Sequence, residues 1–393
     1  MHDNQLQKVF AYAALLLMPF PLLHIYQSLT ISDALLVIAV LLNASELTRI
    51  HKFQIPFLLA TPFFLVSTLQ DADGDFTSVL QTVYIWCFLL PFGWAAFTNI
   101  PVRRIALVLL FSAAINSVVA VGQAAQIIPM LGDQKMITAG QDTMRAAGLS
   151  RSCNTLVMIL TPCILLLPYF RSPKIRLLFL LTLSLGLLAS ISKAVLLAVP
   201  GLCVYFWREP RKRQILPYLA TAVLLGIVAL QHHFGGLEGI RRIFESAVER
   251  RMLTADHSVE NRLYVIEIAM DYAQDCLLFG YGIEGTADRI IRAGNNTVHV
   301  YFLGLVVITG FPGTALVLTG IFMLVKSLYH LGEFEMAGFV VAHMLACLVT
   351  AVILFSCQSF PYLVAGAVLV RQSRLAAPAQ QLVVGRWRNG QLC

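Results

Sequence analysis

The chain has 393 residues, of which 58% are hydrophobic and only 12% are charged, and its formal net charge is +7. A soluble domain carries about 25% charged residues, so this chain has too little polar surface to coat a globule of its size. Composition therefore excludes a soluble protein. It predicts an all-α integral membrane protein, because backbone groups inside a bilayer must be satisfied within each span.

Apolar runs recur along the chain at close to the ~20 residues needed to cross the hydrocarbon core. The first run, from Val9 to Tyr26, is interpreted as an uncleaved first span, since its flank is polar and no small-residue cleavage site follows it. We predict about twelve transmembrane helices in a single polytopic domain, residues 1–393. Their approximate bounds are 9–26, 31–48, 53–70, 79–98, 104–128, 153–170, 175–191, 193–207, 214–231, 299–325, 335–355 and 357–370.

The basic residues predict the orientation of these spans, because short cytoplasmic connections are enriched in lysine and arginine. Besides Lys8, basic residues recur in every second short connection and in the tail 371–393: Arg49, Lys52, Arg103, Arg104, Arg171, Lys174, Arg176, Arg208, Arg211, Lys212, Arg213, Lys326, Arg371, Arg374, Arg386 and Arg388. Twelve spans with both termini cytoplasmic place all of them on the cytoplasmic side, whereas eleven or thirteen spans would put the basic tail outside. The acidic run from Asp71 to Asp75 then lies on the other side.

Most other basic residues fall in two outer connections, a short periplasmic loop at 129–152 and a large one at 232–298. Within the larger loop, apolar residues recur at helical spacing from Leu237 to Leu253, which predicts a helix lying along the membrane surface. Solvation or lipid contact explains any single arginine of a long loop equally well. Arg145 and Lys193, however, lie in or beside short connections, where a charge usually has a partner. They predict an outward-facing basic cavity for a lipid-linked phosphate or pyrophosphate.

Three local patterns occur in a fixed order along the second half of the chain. They are Arg145-Ala-Ala-Gly148-Leu-Ser-Arg151-Ser-Cys-Asn154, then Ser190-Ile-Ser192-Lys193, then Glu260-Asn-Arg262 with Gly280-Tyr-Gly282 and with His299 ahead of Gly310-Phe-Pro-Gly313. In this order the patterns resemble the O-antigen ligase and O-antigen polymerase superfamily over about 145–313. Two positions depart from the family: Val300 follows the histidine where Asn or Ser is common, and Lys193 replaces the usual arginine. Gly280 and Gly282 are expected to serve a turn.

The resemblance implies a GT-C-like glycosyltransferase of the bacterial inner membrane, with its active site on the periplasmic side. The donor would be a glycan on undecaprenyl pyrophosphate, and a ligase would use lipid A–core oligosaccharide as acceptor. The resemblance implies transfer without metal, ATP or another cofactor. Membrane lipids are further expected partners, nucleic acid is not, and the sequence leaves the oligomeric state open. The eight cysteines form no CxxC pair that would suggest a metal site.

The resemblance also implies site residues. His299 and Arg262 are the expected catalytic residues, with the histidine as base, and Arg145 and Lys193 are expected to bind the donor pyrophosphate. Arg151 and Arg242 are further candidate pyrophosphate ligands, although Arg242 fits the polar face of an amphipathic helix equally well. Without the neighbouring motifs, His299 would be interpreted as an interfacial histidine.

Three other functions remain open at this point. An O-antigen polymerase and a protein O-oligosaccharyltransferase use the same donor and differ only in acceptor, which these motifs do not separate. A transporter of lipid-linked glycan is disfavoured, because the predicted spans are almost free of charge and no internal repeat is visible.

Overall fold

The structure is a computed structural model, and it covers most of the predicted spans. It describes residues 3–20, 23–26, 29–70, 76–131, 146–150, 152–190, 264–275, 278–282, 286, 301–347 and 356–388. The predicted spans 193–207 and 214–231 lie outside the described residues, as does the amphipathic stretch 237–253.

Within the described residues the chain is almost entirely helical. The helices are α1 Asp3–Leu17, α2 Ile31–Leu41, α3 Gln54–Gln70, α4 Phe76–Thr82, α5 Leu90–Phe92, α6 Val102–Ala124, α7 Cys153–Cys163, α8 Pro173–Ser190, α9 at 264–275, α10 Tyr301–His330, α11 Phe334–Cys347 and α12 Ser356–Arg388. A π-helical turn, Val83–Leu89, joins α4 to α5, and 3₁₀ helices follow α2, α5 and α7 at Ala44–Thr48, Gly93–Phe97 and Ile164–Tyr169. A small antiparallel hairpin of β1 His24–Tyr26 and β2 Leu29–Thr30 separates α1 from α2.

Several of these helices have the dimensions of membrane spans. In the described part of the chain, four are long and apolar enough to cross a bilayer: Val79–Phe97, Val102–Ala124, Pro173–Ser190 and Phe302–His330. Shorter apolar helices accompany them at Ile31–Leu41, Gln54–Gln70, Cys153–Tyr169 and Phe334–Cys347. The chain thus has the helical, apolar architecture that composition predicts.

One predicted span boundary was wrong. The first helix ends at Leu17 and is followed by the β1–β2 hairpin, whereas the predicted span continued to Tyr26. Pro19 explains the early end, since proline disfavours helical backbone at the residue before it. At the other end of the chain, α12 continues to Arg388 although its apolar part ends near residue 370. Polar side chains end a hydrophobic run without ending a helix.

Close packing between α3 and α10 depends on glycines of α10. A Cβ added at Gly313 would lie 3.0 Å from the Cβ of Phe63, and one at Gly320 would lie 2.8 Å from the ring of Phe57. Glycine at these positions therefore lets the backbone of α10 approach the aromatic side chains of α3, as small residues do between membrane helices.

At one end of the bundle, charged and polar side chains of α12 tie together connections that are far apart in the chain. Arg374 forms an ion pair with Glu46, which follows α2. Arg371 donates from Nη1 to the carbonyl oxygen of Thr98 at 3.4 Å, just before α6. The connections 42–53 and 98–101 therefore lie beside the same part of α12.

Glu333 brings two more connections to this end. Its carboxylate accepts hydrogen bonds from the Tyr169 hydroxyl at 3.0 Å and from Gln372 Nε2 at 2.5 Å. The described lysines and arginines between residues 49 and 374 all lie in or beside these connections: Arg49, Lys52, Arg103, Arg104, Arg171, Lys174, Arg176, Lys326, Arg371 and Arg374. We call this side of the bundle the basic end.

The opposite side of the bundle, which we call the loop end, carries the connections that contain the sequence motifs. Helices α3, α6 and α8 each begin at the basic end, so their last turns reach the loop end. Helix α10 ends beside Glu333 at the basic end, so its first turn lies at the loop end. Residues 146–150 and 278–282 also lie at the loop end.

His51 at the basic end is half-buried beside charged groups. Its ring contacts Trp94 edge-on with centroids 5.1 Å apart, and its Nε2 is buried without a hydrogen-bond partner in the described part of the chain. Burial lowers the pKa of His51 below its ordinary value of 6.5, and the positive charges of Arg374 and Arg49 lower the pKa further against the opposing effect of Glu46. Protonation of this imidazole is therefore less favourable in the folded protein than in the unfolded chain.

This environment predicts a pH-dependent stability. Below pH 6.5 the unfolded chain binds a proton at His51 that the folded chain binds less readily, so the free energy of unfolding should fall as the pH falls below that value. His51→Phe keeps an aromatic ring against Trp94 and removes the titration. Thermal unfolding in detergent is measured between pH 7.5 and 5. Stability should fall less on acidification in the variant than in the wild type, and an equal fall in both would contradict the role of His51.

Candidate functional site

The six residues that the motifs single out all lie outside the described residues: Arg145, Arg151, Lys193, Arg242, Arg262 and His299. All but Arg242 adjoin described elements in the chain. Arg145 and Arg151 bracket 146–150, Lys193 follows the end of α8, Arg262 precedes α9 and His299 precedes α10. The structure therefore shows how the scaffold around these five positions is built.

The turn 146–150 is held by two buried amide side chains of α6. Gln123 Oε1 accepts from the backbone N–H of Ala147 at 3.1 Å and of Gly148 at 2.8 Å, and its Nε2 donates to the Gly148 carbonyl oxygen at 3.0 Å. Asn116 Oδ1 accepts from the N–H of Leu149 at 2.7 Å. These side chains thus satisfy backbone groups that would otherwise be buried without partners.

Asn116 also joins the turn to the end of α1. Its Nδ2 donates to the carbonyl oxygen of Pro19 at 3.0 Å and to Ser150 Oγ at 3.2 Å. One amide therefore holds three segments together at the loop end.

Gly148 is required in this turn for two independent reasons. Its φ of 62° is in the left-handed region, which costs other L-residues roughly 1–2 kcal/mol. A Cβ at this position would also lie 2.1 Å from Asn116 Oδ1 and 2.7 Å from the Asn116 carbonyl oxygen. The glycine of the first motif therefore allows the turn to approach α6.

The same turn is bonded to the last turn of α8. The N–H of Ala146 donates to the carbonyl oxygen of Ala189 at 3.1 Å. Below this contact α8 packs tightly on α6, where a Cβ at Gly186 would lie 2.5 Å from Ser117 Oγ. The chain neighbour of Arg145 and the helix that leads to Lys193 are thus brought together.

A second group of contacts lies where residues 278–282 cross a kink in α10. Gly310 has non-helical backbone angles inside α10 (φ 74°, ψ 175°), and Pro312 supplies no N–H to the helix. The N–H of Tyr281 donates to the carbonyl oxygen of Val307 at 2.8 Å. Residues 278–282 are therefore hydrogen-bonded to the backbone of α10 beside its break.

Glycines allow this crossing on both sides. A Cβ at Gly280 would lie 2.1 Å from the carbonyl carbon of Ile308, and one at Gly310 would lie 2.4 Å from the carbonyl oxygen of Leu278. Gly282 has a φ of 72°, and a Cβ there would lie 3.0 Å from the Thr68 Cα at the end of α3. Gly282 thus has the left-handed backbone that favours glycine, whereas Gly280 serves close backbone contact.

Helix α9 packs against the first half of α10. Val265 and Ala269 of α9 form a buried cluster with Val307 of α10, and Tyr272 meets Tyr281 edge-on with ring centroids 5.6 Å apart. The helix that follows Arg262 and the helix that follows His299 are therefore in contact. The neighbours of these two residues form one group, and those of Arg145, Arg151 and Lys193 form another.

The described part of the loop end is acidic rather than basic. The exposed face of α9 carries Glu267, Asp271 and Asp275, and the described residues of 146–150 and 278–282 include no charged side chain. Within the described residues no three His, Cys, Asp or Glu side chains are grouped so that they could hold a metal ion.

Sequence reasoning missed Asn116 and Gln123. The available signal was the presence of two amide side chains in an apolar helix, seven residues apart and so on one face of α6. Polar residues inside a membrane span usually have a specific partner.

The helices, their hydropathy and the grouping of the described lysines and arginines between residues 49 and 374 at one end define a helical, multi-pass membrane protein. Residues 177–318 match the family model described as O-antigen ligase, which confirms the resemblance to the O-antigen ligase and polymerase superfamily of glycosyl-transferring enzymes. The match contains Lys193, Arg242, Arg262 and His299, whereas Arg145 and Arg151 precede it. No curated protein matches the chain.

Proposed function

We propose that this protein is an O-antigen ligase that transfers glycan from undecaprenyl pyrophosphate to lipid A–core oligosaccharide at the periplasmic face of the inner membrane. The observation that carries the proposal is the family match over 177–318. Three described parts of the matched region lie opposite the basic end: the end of α8, residues 278–282 and the start of α10. By the positive-inside rule, the basic end faces the cytoplasm and the loop end faces the periplasm.

The residue types suit the bond that is exchanged. The acceptor hydroxyl oxygen attacks the anomeric carbon of the glycan, and its proton passes to the imidazole of His299 as general base. The bond from the anomeric carbon to the pyrophosphate oxygen breaks, and its electron pair leaves with undecaprenyl pyrophosphate. Arg262 stabilises the negative charge that develops on this leaving group.

The remaining basic residues bind the donor. Arg145, Arg151 and Arg242 present guanidinium groups that match phosphate geometry, and Lys193 contributes a point charge. The hydrogen bond between Ala146 and Ala189 supports the grouping of Arg145 with Lys193. Ala146 is the residue after Arg145, and Ala189 lies four residues before Lys193. The donor is already activated by its pyrophosphate, so the reaction needs no nucleotide. The fixed cationic side chains neutralise the phosphates in place of a metal ion.

In vitro transfer tests this proposal. Purified protein in detergent is mixed with an undecaprenyl-pyrophosphate glycan and lipid A–core oligosaccharide, without nucleotide or added metal. Parallel reactions are run with and without EDTA. We expect glycan joined to lipid A–core, seen as a mobility shift on a gel, at the same rate with and without EDTA.

Each other outcome contradicts part of the proposal. Longer glycan still on undecaprenyl pyrophosphate would identify a polymerase, and product formed only with a protein acceptor would identify a protein O-oligosaccharyltransferase. A strong loss with EDTA would contradict the metal-free mechanism. Transport of lipid-linked glycan across sealed vesicles by a protein that forms no product in detergent would identify a transporter.

A further inference from the structure

The contacts of Gln123 and Asn116 are more specific than the stability of a helix requires. Both side chains are buried within an apolar helix, at 1% and 0% exposure, where an amide without partners would cost free energy. Gln123 uses both its oxygen and its nitrogen on the backbone of a single residue, Gly148. This pairing sets the distance between the turn and α6 and also the rotation of the turn.

The turn held in this way has an arginine at each end. Arg145 and Arg151 are the residues immediately before and after 146–150, and the turn is also bonded to the last turn of α8. A displacement of the turn would therefore move two of the proposed pyrophosphate ligands together.

We propose that Gln123, assisted by Asn116, is a positioning residue that sets the turn 146–150 and thereby the placement of Arg145 and Arg151 on the donor pyrophosphate; this inference rests on the proposed function. The amides act through the arginines and have no role in bond exchange. Loss of Gln123 should weaken donor binding and leave the chemical step of the bound complex nearly unchanged.

A matched control exists at the basic end. Gln54 is also buried, at 1% exposure. Its Oε1 accepts from the N–H of His51 at 2.6 Å, and its Nε2 donates to the Pro91 carbonyl oxygen at 2.7 Å. Gln54→Ala therefore removes the same chemical group and the same kind of backbone contact, far from the motifs.

The experiment compares Gln123→Ala, Gln123→Glu and Gln54→Ala with the wild type. The readouts are the thermal unfolding midpoint, the donor KM and kcat of transfer, and the Kd for undecaprenyl pyrophosphate alone. We expect Gln123→Ala to raise KM and Kd about tenfold, the effect of losing roughly one charge-assisted hydrogen bond, with kcat changed by less than about twofold. Gln123→Glu keeps the oxygen that accepts from Ala147 and Gly148 and should restore part of the affinity. Gln54→Ala should lower the unfolding midpoint by a similar amount and leave KM and Kd unchanged.

A double variant distinguishes positioning from a general loss of structure. If Gln123 acts through Arg145, the effect of Gln123→Ala on Kd should shrink in an Arg145→Ala background, since the two residues then share one contribution. An undiminished effect in that background, or equal losses of affinity in Gln123→Ala and Gln54→Ala, would overturn the inference.

Wild-type protein that binds undecaprenyl pyrophosphate but forms no product would refute the transfer reaction, and the Kd comparison would still decide the inference. Absence of wild-type binding would overturn both.

Discussion

His299→Ala is expected to lower the rate of glycan transfer by about 10²–10⁴-fold, the usual contribution of a positioned general base. Without the imidazole, no group at this position accepts the proton of the acceptor hydroxyl as the new glycosidic bond forms. The loss should appear in kcat at saturating donor and acceptor, measured in the detergent assay. Binding of undecaprenyl pyrophosphate should be nearly unchanged.

The matched control for this prediction is His330→Ala. His330 is an exposed histidine at the last residue of α10, the helix that His299 precedes in the chain. Its replacement should leave the rate unchanged, so a loss specific to His299 cannot arise from the mere removal of a histidine. A near wild-type rate in a folded His299→Ala protein would remove histidine from the mechanism.

Gly280→Ala is expected to destabilise the protein by about 3 kcal/mol or more, at the upper end of the cost of overpacking. The new Cβ would lie 2.1–2.3 Å from three backbone atoms of Ile308 and Thr309, and backbone atoms cannot move aside as a flexible side chain does. The hydrogen bond from Tyr281 to Val307 would be lost with the displacement of 278–282. Because α9 and 278–282 pack on α10 near its first turns, transfer activity should fall as well.

Gly332→Ala provides the comparison for this steric effect. Gly332 has a φ of 79°, but a Cβ there would meet no atom within 4 Å, so its cost should be limited to backbone strain of roughly 1–2 kcal/mol. Thermal unfolding of both variants in the same detergent measures the difference. Equal destabilisation would show that the contact between 278–282 and α10 contributes little.

The motif glycines illustrate how far local patterns predict structure. Their order along the chain indicated the family, and a glycine pair separated by one residue suggested a turn. Gly282 has a positive φ that favours glycine, but it stands at a helical position. The pairing of Gly280 with the kink at Gly310 was not predictable. It joins backbone atoms 30 residues apart, and no sequence period relates the two positions.

The first span shows the converse limit. The apolar run from Val9 to Tyr26 predicted one long helix, but the helix ends at Leu17 and a hairpin follows. Hydropathy measures how residues partition between water and lipid, and an apolar hairpin has the same hydropathy as an apolar helix.

The sequence by itself determined the class of protein, the concentration of basic residues in alternate connections and the motif order of the family, because these depend on composition and on residues close together in the chain. Only the tertiary structure decided which amides hold the turn 146–150, which glycines admit 278–282 to the kink of α10, and which connections meet at Glu333. These contacts join segments separated by tens to hundreds of residues. They form only where helices pack closely enough for a buried donor to reach a particular acceptor, so their partners depend on the packing of the whole bundle.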